Sequence, residues 1–87
     1  MLRMRTITKL TEEEAIKQAV KFFGPAGYGL EIKDQSPTYA YFEGAGGHVE
    51  VTSGTDEKRT SVELVSQEWD YQVREFLRKI PHSAKKK

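Results

Sequence analysis

The 87-residue chain has no cysteine, two histidines, three prolines and one tryptophan. Without cysteine it can form no disulfide framework, thiolate metal site or cysteine nucleophile. No segment approaches the ~18 apolar residues that a membrane-spanning helix needs. The start, Met1-Leu2-Arg3-Met4-Arg5, also lacks the apolar run of a signal peptide. A soluble cytoplasmic domain is the expectation. No serine stands in a nucleophile elbow, and only one histidine, His48, falls inside the periodic part of the chain, so a serine–histidine system has no second ordered base to draw on. A strong net charge is missing too: the balance is +1 at pH 7.

What is present is 37% hydrophobic and 31% charged residues grouped into periodic blocks. That pattern marks a globular chain rather than a disordered one, and the length suits a single core. One domain over residues 1–81 is expected, followed by a disordered basic tail at 82–87 that ends in three lysines. The charge is unevenly spread. Residues 1–33 balance at +2, residues 34–70 at −6 and residues 71–87 at +5. Most of the expected strands lie in the acidic middle. A nucleic-acid-binding face concentrates Lys and Arg against phosphates, so nucleic acid is not the expected partner.

Alternation over residues 3–9 predicts a first strand. Thr11-Glu12-Glu13-Glu14 matches a capping box, and Ile16, Ala19, Val20 and Phe23 follow at helical spacing. A helix over 11–23 is therefore expected, stopped by Gly24-Pro25. Strands are predicted at 29–34, 38–43, 48–52 and 59–65. The turns between them are read at Gln35-Ser36-Pro37, Gly44-Ala45-Gly46-Gly47 and Ser53 to Lys58. Ser66 is the expected cap of a last helix, whose stripe is Trp69, Val73, Phe76, Leu77 and Ile80. One apolar side per strand (Leu30 and Ile32, Ala40 and Phe42, Val49 and Val51, Val62 and Leu64) predicts a two-layer α+β fold. In it, a curved five-stranded antiparallel sheet carries two helices on one face, in the order β-α-β-β-β-β-α. This element order resembles one repeat of the TATA-binding-protein fold and the smaller helix-grip domains. The resemblance implies the fold alone, and the acidic strands differ from the basic sheet that DNA would require.

The glycines of 24–29 follow a helix and precede a strand. They meet a carbonyl end, the wrong polarity for a phosphate cradle. Gly44 to Gly47 reads as a hairpin turn. His48 and Glu50 share a strand face with Glu43 across the hairpin. Such a set could serve acid–base chemistry or a ligand, but one histidine without a partner histidine or cysteine points to no metal site. On the non-core side, Tyr39 and Tyr41 alternate with Ala40 and Phe42, and Arg5 from the first strand is expected on the same side. The candidate binding residues are thus Tyr39, Tyr41, Arg5, His48 and Glu50, with no catalytic residue, metal or cofactor named. The expected function is a binding or interaction module rather more than an enzyme, a question the residues leave open, using the open sheet face for homodimerisation or for a protein partner. The alternative is a small-ligand carrier or minor enzyme with a pocket between the sheet and the C-terminal helix, near His48 and Glu50. A third reading is weak nucleic-acid binding by the basic helix and tail.

Overall fold

The computed structural model describes residues 1–81; the basic tail expected at 82–87 lies outside the described residues. The order is β1 (Leu2–Thr8), α1 (Glu12–Phe23), β2 (Glu31–Ser36), β3 (Tyr39–Gly44), β4 (Gly47–Asp56), β5 (Arg59–Gln67) and α2 (Asp70–Lys79). The α+β architecture expected from periodicity is the one observed, an antiparallel five-stranded sheet with two helices. No helix among the described residues is long and apolar enough to cross a membrane.

Local chemistry accounts for most element boundaries. Thr11 closes the predicted capping box: its hydroxyl accepts from the Glu14 amide at 3.1 Å, and the Glu14 carboxylate accepts from the Thr11 amide at 2.9 Å. Glu12, Glu13 and Glu14 lie in the first turn of α1, where acidic side chains complement the positive end of the helix dipole. At the other end the loop folds back on the helix. The Tyr28 and Leu30 amides donate to the Phe22 and Phe23 carbonyls. The glycine-rich segment therefore caps carbonyls.

Several boundaries differ from those expected, the larger shifts for identifiable physical reasons. β2 starts at Glu31 instead of residue 29, because Gly29 has φ +89° and cannot extend a strand. It then continues to Ser36 across a register shift between Ile32 and Asp34. β4 runs to Asp56, so Ser53 to Asp56 is strand and not turn; Ser53 faces the core and its hydroxyl donates to the Glu12 carbonyl. The turn shrinks to Glu57-Lys58, with φ values of 51° and 73°. β1 ends at Thr8, one residue early, where its hydroxyl donates to the Pro81 carbonyl. Finally, Ser66 does not cap α2. β5 carries on to Gln67, Glu68 turns with φ 72°, and the cap position falls on Trp69, which makes no side-chain cap bond. Ser66 is fully buried in the strand and donates to Asp70.

The strand order, which local patterning left open, is β1-β5-β4-β3-β2. The four later strands form a meander, and β1 joins antiparallel to β5. The core lies between sheet and helices. Ala15, Ile16, Ala19 and Phe23 of α1 and Val73, Phe76 and Leu77 of α2 meet Ala40, Phe42, Val49, Val51, Val62 and Leu64. Phe23 stands at its centre, with ring centroids 5.6 Å from Phe42 and 5.4 Å from Phe76. Trp69 packs at the rim and donates its indole N–H to the Gly44 carbonyl at 3.0 Å.

Candidate functional site

Both helices pack on one face of the sheet, so the other face is left open. Cross-strand register orders its side chains into rows. One row runs Arg3, Val65, Glu50, Tyr41, Asp34, from β1 to β2. The next runs Arg5, Glu63, Thr52, Tyr39, Ser36. A third, at the hairpin end, runs Gln67, His48, Glu43, Glu31. All the residues singled out from the sequence, Arg5, Tyr39, Tyr41, His48 and Glu50, occupy these rows.

Within the face the structure gathers four of the five. The Tyr39 hydroxyl donates to Glu50 Oε2 at 2.6 Å. That bond, with smaller contributions from burial and the nearby carboxylate charges, pushes the Tyr39 phenol up to about 12. Tyr41 lies beside His48, with ring centroids 5.7 Å apart. Its phenol is also held above the ordinary value, first by burial and then by a hydrogen bond to Glu43. Both tyrosines are half-buried. Both rings are flanked at the base by neighbouring strands, and the Tyr39 hydroxyl is held by the Glu50 carboxylate. Arg5 stands apart. Three strand spacings separate it from Tyr39 along its row, about 14 Å. It belongs to the same surface but not to the same small-ligand site.

The pocket expected between the sheet and the C-terminal helix near His48 and Glu50 is corrected by this register. The side chains of β4 alternate, Val49 and Val51 are fully buried under the helices, and His48 and Glu50 therefore face away from α2. What His48 does line is a shallow, polar depression of ≈ 470 Å³ at the hairpin end, with Glu31, Glu43 and Gln67. No group of three or more His, Cys, Asp or Glu side chains among the described residues is placed to hold a metal ion.

Strand order reveals something that alternation alone does not. Arg3 and Arg5 lie on the β1 edge, while Glu43, Glu50, Asp34 and Glu31 lie on β4, β3 and β2. The open face is basic at one edge and acidic over the rest. Arg3 bonds Glu63 at 2.7 Å, with its side chain 67% exposed, and Lys33 sits 3.7 Å from Glu31. Such exposed pairs contribute little to stability and leave the polarity of the face intact. The acid surrounding Tyr39 and Tyr41 repels a phosphate backbone, which argues against base stacking there.

A second surface has no signature in the periodicity of the chain. On the helix side, two adjoining depressions of ≈ 260 Å³ each share Gln18 and Phe22. Phe22 is half-buried, and Tyr28, 43% exposed, packs edge-on against it at 5.3 Å and donates to Glu75 at 2.6 Å. The helical stripe marks Phe23 as core but gives no reason to place Phe22 or Tyr28 at one surface. Only the loop after α1 brings them together.

No family model matches this chain, nor does any curated protein or solved structure.

Proposed function

We propose that this chain is a protein-interaction module whose contact surface is the open sheet face. The observation that carries the reading is that face itself. It is uncovered by either helix, it holds two half-buried tyrosines, one with its hydroxyl tethered to Glu50 and the other with its ring beside His48, and its charges are sorted by sign between its edges. A sheet covered on one side must keep its other side polar or find a partner. Tyrosines already fixed in place lose little side-chain entropy on contact, which makes them economical anchors. Val65 and Ile7, half-buried on the same face, add an apolar contribution. Sorted charges favour a partner with the opposite arrangement and orient it on approach.

The test is site-specific photo-crosslinking in living cells. A crosslinker placed at Thr52, at the centre of the face, should give protein adducts. The same group at Lys17, exposed on α1, should give few. Adducts from Lys17 with none from Thr52 would overturn the proposal. Tyr41→Glu should abolish the Thr52 adducts while the far-ultraviolet circular dichroism stays unchanged.

A further inference from the structure

We infer that the partner on the open face is a second copy of this chain, packed face to face about a two-fold axis that runs along the strands through β4. The inference rests on the interaction reading above and names its partner.

Symmetry and charge select this arrangement. A closed dimer of sheet faces needs a two-fold axis lying between the faces, and full overlap allows two simple orientations, along the strands or across them. An axis across the strands places β1 on β1, bringing arginine onto arginine and acid onto acid. An axis along the strands and through the central strand, β4, places β1 over β2 and β5 over β3 of the other copy. Rows are then preserved. In the first row, Arg3 meets Asp34, Val65 meets the Tyr41 ring, and Glu50 meets its own copy. The Arg3 and Asp34 contacts occur twice, once on each side of the axis. Arg3 and Asp34 are both exposed, as such a contact requires.

The edges are poorer meeting places. Pairing β1 with β1 would crowd the arginines of both copies together. The edge of β2 is interrupted by its register shift between Ile32 and Asp34, a feature that blunts strand addition. The face spans five strands, about 24 Å at ~4.8 Å per strand, wide enough for each copy to present all its rows to the other.

The experiment is sedimentation velocity on the whole chain from about 1 µM to about 1 mM. Wild type should shift from monomer to dimer across that range. Arg3→Glu and Asp34→Arg should each weaken the dimer about tenfold or more, because each turns both symmetric contacts repulsive. Mixing the two variants should restore a heterodimer, since in that pair both contacts are again opposite in sign. Glu50→Gln should tighten the dimer, by removing the like charge on the axis while keeping an acceptor for Tyr39. A chain that stays monomeric throughout overturns the second copy and leaves the interaction reading to the Thr52 crosslink. A dimer indifferent to both charge reversals, with crosslinks from Lys17 and none from Thr52, overturns both.

Discussion

At the scale of single residues, the Tyr39–Glu50 bond is the most informative contact on the open face, because it has a consequence that can be titrated. The folded state holds the Tyr39 proton more tightly than the unfolded chain, with the phenol pushed up to about 12 from its usual 10.0. A group whose folded value is raised contributes stability that is fully present below its unfolded value and is lost as pH rises through the folded value. Wild type should therefore lose stability between about pH 10 and about pH 12 more steeply than Tyr39→Phe, which has no proton to lose. Urea midpoints of both proteins across that range measure the difference; parallel curves would show that the bond is not maintained in solution. In the core, Phe23 is fully buried between Phe42 and Phe76. Phe23→Ala should cost about 3–5 kcal/mol in urea unfolding, a large share of what so small a domain possesses.

Elements were legible where one side chain decides the local geometry. Thr11 and Glu14 announce α1, and they make both bonds of the capping box. Thr11→Ala should lower stability by about 1 kcal/mol, measured by thermal unfolding. Elements were misread where two local signals compete. Ser53 to Lys58 carries the composition of a turn, yet Ser53 and Thr60 are buried and the β4–β5 ladder runs on to Asp56 and Arg59. The long-range pairing there outweighs the turn preference of Ser, Gly and Asp. The turn that remains places Glu57 and Lys58 in the left-handed region, where residues with a Cβ are disfavoured. The β3–β4 hairpin solves the same problem with Ala45 at φ 51° and Gly46 at φ 80°. Lys58→Gly should accordingly raise stability by about 0.5–1 kcal/mol, with an increase in melting temperature as the readout. Ser66 was misread for a related reason. A serine before an apolar stripe looks like a helix cap, but here its backbone is still paired with Val49 in the sheet.

At the scale of the whole molecule, the sheet divides the chain into a covered side and an open one. On the covered side, the inward faces of α1, α2 and the central strands are buried. The open side carries the proposed function, since it sets the tethered Tyr39 ring and Tyr41 beside charges sorted by sign. If opposite charges join two copies across that face, association must weaken as salt screens them. Sedimentation at about 0.05 M and about 0.5 M salt should show a lower dimer fraction at the higher concentration. An increase with salt would mean that apolar contacts dominate the interface.

Alternation along the chain was enough to determine which side chains line each face of β3, β4 and β5, because a strand turns its residues outward and inward with period two; in β2 the register shift after Ile32 moves Asp34 to the open side against that rule. Tyr39, Tyr41, His48 and Glu50 were placed on the open side by that rule alone. The same periodic logic determined both helices and the two-layer architecture. What sequence could not determine was adjacency. Pairing β1 with β5 joins residues some sixty positions apart, as Arg3 and Glu63 show, and no local pattern encodes such a contact. That pairing puts the arginines at one edge and the acids across the rest. In the same way, only the loop after α1 lays Tyr28 against Phe22. Each of these features depends on which distant segments share a hydrogen-bonding edge or a core, and cooperative burial across the whole chain decides that.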